Sequence, residues 1–228
     1  MQTKEIFLEA RKFIVAKEYP LAIEKFQLLL GYEKNPHAIS AVYNQIGHCY
    51  YMQSKFIQAS EYYTKGLNVS KNAGDDEGLA SAYGNIANTF MHRPSSSGSI
   101  RAKNVVNAVD LYSKCLSIFL EDMYPVDYAM TQNNLGTAYT DLPAATPEVR
   151  ADNVRKAIEC YQAALEIYRK DEYPQDYCYT IANIGMALIS INNPSGCSFI
   201  KEAYSFKEFL PDQGKQLEGI LLDHCFEE

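Results

Sequence analysis

Histidine, cysteine and aspartate are the side chains here that could build a metal or catalytic site, but their spacing does not favour one. The four histidines lie far apart, without the HxxxH or HExxH spacing of zinc ligands. His48 precedes Cys49 and His224 precedes Cys225, and neighbouring residues on a helix point about 100° apart. We therefore expect no metal, no cofactor and no Cys–His nucleophile.

Two aspartates recur at equivalent positions and raise the possibility of acid–base chemistry. Asp127 and Asp176 each follow a Tyr-Pro pair at the start of a predicted helix, where free backbone N–H groups stabilise a carboxylate. We favour this capping role over catalysis. The phosphate-binding motifs GxGxxG and GxxxxGK[ST] and the hydrolase motif GxSxG do not occur. The sequence therefore predicts a protein that is not an enzyme.

Cysteine usage and the N-terminus favour a cytoplasmic protein. The N-terminal MQTKEIFLEARKF is charged throughout and is not of signal-peptide type, and no run approaches the ~18 apolar residues of a membrane span. The cysteines show no CxxC spacing, so we interpret them as reduced packing residues and expect no disulfide. They are Cys49, Cys115, Cys160, Cys178, Cys197 and Cys225.

The charge balance argues against two classes of partner. The 228-residue chain has a net charge of −7. Residues 1–36 carry six Lys/Arg against five Asp/Glu, whereas residues 37–228 carry 15 against 23. Phosphate backbones and anionic lipid headgroups both require clustered positive charge. We therefore expect neither nucleic acid nor membrane as a partner.

The chain is organised around an internal repeat. The segment Asp122–Ala138 returns 49 residues later as Asp171–Ala187, with nine of seventeen positions unchanged. A fixed period of about 20–50 residues is typical of stacked helical units. Because each unit of such a stack packs only on its neighbours, 228 residues can form one continuous array.

Small and aromatic residues at fixed spacing resemble a tetratricopeptide repeat (TPR). The clearest copy is Val42–Leu67, with Tyr43, Ile46, Gly47 and Tyr50 on its first helix and Phe56, Ala59, Tyr63 and Gly66 on its second. The second and third copies resemble the roughly 40-residue units of Pins-type adaptors and Rap-type regulators. The YPxDYxxTxxNxGxA copies resemble the longer TPRs of prokaryotic multidomain signalling proteins.

This resemblance implies an all-α fold, a right-handed α–α superhelix of five helical hairpins plus a C-terminal capping helix. We expect one domain over residues 1–228, with repeats at about 3–36, 37–73, 76–121, 125–170 and 174–210 and the capping helix at 212–226. Asn35, Asp75 and Thr146 are predicted N-caps. The third and fourth hairpins carry inserts at 92–99 and 142–150, and we expect these to lengthen their second helices. The second helix of the fifth hairpin is predicted to span Ser195–Leu210.

In TPR arrays the first helices line a concave groove, and the resemblance places eleven side chains there. A carboxamide donates and accepts hydrogen bonds at once, so a row of Asn and Gln can bind the main chain of an extended peptide. The alternative is that these residues are merely solvated, and that Tyr51 and Met91 pack against the next helix. The candidate residues are Asn44, Gln45, His48, Tyr51, Asn85, Asn88, Met91, Asn133, Asn134, Thr137 and Asn183.

These features predict a non-catalytic scaffold or adaptor that binds a protein or an extended peptide segment. The alternative is a regulatory or sensor subunit that controls a partner protease, kinase or phosphatase. Chaperone-docking TPRs bind a terminal carboxylate with Lys and Arg from the first helices. The helices beginning near Pro36, Asp75, Pro125 and Pro174 have no Lys or Arg at the groove positions, so docking of a chaperone C-terminal tail is disfavoured.

Overall fold

The computed structural model describes residues 2–210 and 214–225, and these residues are all-α with no strand. The helices form hairpins of the TPR type, as predicted. A single 3-10 turn at Lys207–Phe209 follows the tenth helix. The α-helices are α1 (Gln2–Val15), α2 (Tyr19–Tyr32), α3 (Pro36–Met52), α4 (Phe56–Ala73), α5 (Asp76–His92), α6 (Gly98–Leu116), α7 (Pro125–Asp141), α8 (Pro147–Ile167), α9 (Pro174–Ile189), α10 (Gly196–Tyr204) and α11 (Gly214–His224).

The chain divides into two compact units, residues 1–118 and 119–228. Unit 1 contains the hairpins α1–α2, α3–α4 and α5–α6, which pack on one another through α2 with α3 and α4 with α5. Unit 2 contains the hairpins α7–α8 and α9–α10, and α11 packs on α10. The continuity of all five hairpins in one array stays a prediction.

Three predicted N-caps are confirmed by their hydrogen bonds. Asn35 Oδ1 accepts from the backbone N–H of His37 at 2.9 Å, and Asp75 Oδ1 accepts from Gly78 at 3.1 Å. Thr146 begins α8, since its hydroxyl accepts from Val149 N–H at 3.4 Å. Each cap satisfies a backbone donor that has no partner inside the helix.

The helix starts of unit 2 differ from the predicted capping arrangement. Asp127 and Asp176 lie in the first turns of α7 and α9, but the N-cap residues are Tyr124 and Tyr173, whose side chains form no capping hydrogen bond. Desolvation raises the pKa of Asp176, although its own backbone N–H partly offsets this. Interaction with free helix N–H groups is therefore not the dominant influence on that carboxylate.

Aromatic packing anchors these two helix starts instead. The ring of Tyr124 packs on Phe119 with centroids 5.2 Å apart, and that of Tyr173 packs on Tyr168 at 5.7 Å. Phe119 and Tyr168 are both buried. The YP dipeptide of the repeat thus supplies a ring that holds the turn between hairpins and a proline suited to the first helical turn.

The two inserts form a repeated structural device and lengthen α6 and α8 to 19 and 21 residues, as predicted. Arg101 and Arg150 occupy equivalent positions 49 residues apart. Each guanidinium donates to a main-chain carbonyl near the end of the preceding helix, at Met91 and Thr140 respectively. Such a bond satisfies a carbonyl that has no partner within its helix.

A buried asparagine completes each device. Asn104 donates to Ser95 Oγ at 3.3 Å, and Asn153 donates to the carbonyl of Leu142 at 3.4 Å. Both asparagines are 7% exposed. They hold the insert against the second helix of its own hairpin.

The fifth hairpin is shorter than predicted, because α10 ends at Tyr204 and the 3-10 turn follows it. The capping helix is present at 214–224, while residues 212, 213 and 226 of the predicted span lie outside the described residues. Leu217 and Leu221 are buried in one cluster with Ile181 and Ile200. Helix α11 therefore packs on α9 and α10, as expected of a capping helix.

One prediction about the cysteines is wrong. Cys197 and Cys225 form a disulfide, with Cα atoms 5.4 Å apart, that ties the start of α10 to the residue after α11. The packing of α11 on α10 brings together two residues that are 28 positions apart. The remaining four cysteines are not in disulfides, and Cys49, Cys115 and Cys178 are buried.

Candidate functional site

The first helices of the three hairpins of unit 1 line an open cavity of about 470 Å³. It contains four of the predicted groove residues, Asn44, Gln45, His48 and Asn85. Helix α1 adds residues that are not among the predicted groove residues. The lining residues are Phe7, Arg11, Ile14 and Val15 from α1, Asn44, Gln45 and His48 from α3, and Asn85 from α5.

Burial on the opposite faces of the helices directs these side chains to the cavity. On α3, Val42, Ile46 and Cys49 are at most 2% exposed, so the intervening Gln45 and His48 lie on the more open side. Asn44 is turned inward instead. Its Oδ1 is buried without a hydrogen-bond partner in the described structure and lies beside Gly66.

Arg11 and His48 decide the electrostatics of this cavity. His48 retains solvent exposure, yet desolvation lowers the pKa of its imidazole, which is therefore neutral at pH 7. Arg11 is exposed and forms no hydrogen bond or ion pair with the described residues. The cavity lining thus carries one permanent charge, a guanidinium.

The position of Arg11 could have been found from the repeat. Arg11 follows the buried Ala10, as His48 follows the buried Gly47. Helix α1 lacks the Gly and Tyr that mark the first helix of the second hairpin. The groove positions of α1 were therefore not assigned from the sequence.

Three further predicted groove residues of unit 1 are used in packing. Tyr51 bonds to His92 Nδ1 at 2.9 Å, and Asn88 Oδ1 accepts from the hydroxyl of Tyr112. Met91 is 7% exposed. For Tyr51 and Met91 this agrees with the alternative given above, in which these side chains pack against the next helix.

Unit 2 has a smaller cavity of about 280 Å³, whose polar groups are largely bonded to one another. Asn183 donates to Asn133 Oδ1 at 3.2 Å, and Thr137 Oγ1 lies 3.2 Å from the hydroxyl of Tyr161. Arg150 donates to Ser190 Oγ at 3.1 Å. The lining residues are Thr137, Thr140, Asp141, Arg150, Tyr161, Asn183, Met186, Ala187 and Ser190.

Three of the predicted groove asparagines, which occupy equivalent positions 49 residues apart, are divided between the two units. Asn85 lies in unit 1, while Asn134 and Asn183 lie in unit 2. Asn134 is partly buried and makes no side-chain hydrogen bond to the described residues. That the three form one continuous row stays a prediction.

The part of the chain that the structure describes shows neither a metal site nor a membrane span. No group of three or more of its His, Cys, Asp and Glu side chains is placed to hold a metal ion. No described helix has both the length and the apolar content to cross a membrane.

The family model for the soluble NSF attachment protein, SNAP, matches residues 9–190. This chain belongs to the SNAP family. The matched region begins within α1 and ends just after α9, so it includes every predicted groove residue. Helices α10 and α11 and their disulfide lie beyond it.

Solved structures similar to this SNAP-family chain confirm a TPR-like fold. The apo form of RapI has a TM-score of 0.77 at 14% identity, covering 100% of this chain and 78% of that one. BtubC (BKLC) from P. vanneervenii has a TM-score of 0.66 at 18% identity, covering 99% and 83%. TTC0263, a TPR protein of Thermus thermophilus, has a TM-score of 0.60 at 12% identity, covering 96% and 99%. No curated protein sequence matches the chain significantly.

The residues of the TPR resemblance do not distinguish the SNAP family from other TPR-like families. The residues that carried the TPR resemblance, such as Gly47 and Tyr63, are packing residues at a close helix contact. Packing residues of this kind define the hairpin fold and not one family within it.

Proposed function

We propose that this SNAP-family chain is a non-catalytic adaptor that holds a segment of a partner protein in the cavity between α1, α3 and α5. The observation that supports the proposal is the composition of that cavity. It combines the carboxamides of Gln45 and Asn85 with the neutral imidazole of His48 and with apolar side chains from α1.

This composition suits a polypeptide ligand. Carboxamides donate to and accept from peptide groups without requiring a particular side chain. The apolar side chains of Phe7, Ile14 and Val15 offer contact to one or two apolar residues of the ligand. The free hydrogen-bonding groups of the cavity and its apolar wall would thus be used together.

The family description supports a protein partner, since it names attachment to NSF. An NSF-type protein is therefore the first partner to test. The expected cytoplasmic location remains part of this proposal, but the Cys197–Cys225 disulfide removes the support that reduced cysteines gave it. The regulatory alternative also remains a prediction, because the likeness to RapI shows the fold alone.

A displayed library of random peptides, selected on the immobilised whole chain, would test the proposal with a defined ligand. Affinity of the selected peptide would be measured by titration calorimetry for the wild type and for the triple variant Gln45→Ala/His48→Ala/Asn85→Ala. We expect the triple variant to bind at least about tenfold more weakly, because each lost hydrogen bond contributes roughly 0.5–1.5 kcal/mol.

The matched control is Gln58→Ala/Asn68→Ala/Asn72→Ala, which removes three exposed polar side chains from α4. It should bind the peptide like the wild type. Equal affinity of the groove variant and the wild type, or an equal loss in both variants, would contradict a binding site in this cavity.

A further inference from the structure

The two units of the chain differ strongly in charge. Unit 1, residues 1–118, carries 13 Lys/Arg against 10 Asp/Glu and has a net charge of +3. Unit 2, residues 119–228, carries 8 against 18 and has a net charge of −10. Unit 1 is therefore the unit whose own charge favours an anionic ligand, whereas the charge of unit 2 disfavours one.

Within that cavity the positive charge is concentrated on Arg11. None of the eight lining residues is an Asp or Glu. Glu9, close to Arg11 on α1, is already paired with Lys25 at 3.1 Å. The guanidinium of Arg11 has no partner among the described residues, so its N–H donors are open to a ligand.

An apolar surface adjoins this cation on the same helix. Phe7 and Ile14 are partly exposed. Val15 is 83% exposed, the largest value among the exposed large apolar side chains of the described residues. A ligand that covers Val15 would remove apolar surface from water while its acidic group pairs with Arg11.

We infer that Arg11 anchors the carboxylate of an Asp or Glu side chain, carried by a peptide segment with an apolar residue next to it. This inference rests on the proposed function and specifies its ligand. A guanidinium binds a carboxylate through two parallel N–H···O bonds. Gln45 and Asn85 suit main chain that continues across the cavity, so the carboxylate belongs to an internal residue and not to a chain terminus.

Three synthetic peptide libraries test the inference. All have acetylated N-termini and amidated C-termini, with random residues around a fixed central Glu, Gln or Lys. Their binding to the whole chain is measured by fluorescence polarisation. The wild type should bind the Glu library about tenfold more tightly than the Gln library, because a hydrogen bond to a charged group is stronger than a neutral one.

Variants of α1 assign that preference to single side chains. Arg11→Ala should equalise the Glu and Gln libraries, and Arg11→Glu should reverse the preference towards Lys. Lys12→Ala is the matched control, since Lys12 is an exposed cation on the same helix but does not line the cavity. Val15→Ser should keep the preference for Glu but bind the Glu library more weakly than the wild type does, because the apolar contact is lost.

The outcomes separate this inference from the proposed function. A Glu preference that survives Arg11→Ala, or that appears only in peptides with a free C-terminal carboxylate, overturns the anchor. If Glu and Gln peptides bind equally well but the triple groove variant loses them, the adaptor site stands and the anchor does not. If no library binds above background, both fail.

Discussion

The buried ring of Tyr161 lies directly against Gly136. A Cβ atom on residue 136 would be 2.6 Å from Tyr161 Cε1 and 2.8 Å from Cδ1. The ring is 1% exposed and cannot move into solvent. Gly136→Ala should therefore overpack the α7–α8 contact and lower the free energy of unfolding by about 1–3 kcal/mol, measured by urea denaturation.

Gly84→Ala is the control for this substitution. Gly84 is also helical, but its Cβ would lie 3.8 Å from Cys115 Sγ, an ordinary contact. Alanine favours the helix by roughly 0.5–1 kcal/mol over glycine, so this variant should be as stable as the wild type or more so. If Gly136→Ala and Gly84→Ala changed the free energy of unfolding equally, the close approach of the Tyr161 ring to residue 136 would be wrong.

The disulfide between Cys197 and Cys225 should stabilise the attachment of α11. A bridge across 28 positions contributes about 3–4 kcal/mol to the free energy of unfolding by limiting the unfolded chain. We expect the intact mass to be two hydrogen atoms lower than that of the chain with six free thiols. After reduction, the backbone hydrogen exchange of residues 214–225 should become faster. Cys197→Ser should exchange like the reduced protein with or without reductant.

Cys160→Ser serves as the thiol control, since Cys160 is free. Hydrogen exchange of α11 in this variant should become faster on reduction, as it does in the wild type. An intact mass that corresponds to six free thiols would rule out the bridge.

The hairpins could be predicted from sequence because their signals are local and repeated. Asn35 and Asp75 cap helices through bonds to residues two and three positions away, and the 49-residue period fixes the helix pairs. The disulfide could not be predicted, because the contact between Cys197 and Cys225 exists only once α11 has packed. The spacing of the cysteines in the sequence does not indicate how α11 packs.

The candidate groove could be predicted only in part for a related reason. Register identified Gln45, His48 and Asn85, which do line one cavity. Register alone did not separate exposed side chains from the buried Met91 or from Asn88, which accepts a bond from the next helix. Whether a side chain at a groove position is exposed or buried depends on the length and position of the neighbouring hairpin. It does not depend on the repeat position itself.

The insert of the fourth hairpin should depend on Arg150. Its guanidinium bonds to the carbonyl of Thr140 and to Ser190 Oγ, so it joins α8 to the ends of α7 and α9. Arg150→Ala leaves the Thr140 carbonyl without this donor and should lower the free energy of unfolding by about 1–3 kcal/mol. Arg155→Ala is the control, because its ion pairs with Asp152 and Glu159 are exposed and contribute little. A larger effect of Arg155→Ala in urea denaturation would contradict this assignment.

Alkaline pH should destabilise unit 2 through Tyr161. Burial raises the pKa of its hydroxyl from 10.0 to about 12, so the unfolded chain releases this proton at lower pH than the folded one. The resulting stabilisation, about 2–3 kcal/mol, is fully present below pH 10 and is lost as the pH rises from 10 to 12.

Tyr161→Phe removes that titration and should make the fall in unfolding free energy over this pH range smaller by about 2–3 kcal/mol. The remaining fall comes from groups such as Tyr177 and Cys160, whose pKa values burial raises to about 12. At pH 8 the variant should lose only about 1 kcal/mol, since the hydroxyl pairs with Thr137 at 3.2 Å. Tyr32→Phe is the control, because Tyr32 is 50% exposed, and it should keep the full slope. Urea denaturation at several pH values measures these slopes. If Tyr161→Phe and the wild type fall in parallel, the hydroxyl of Tyr161 is not desolvated in the folded protein.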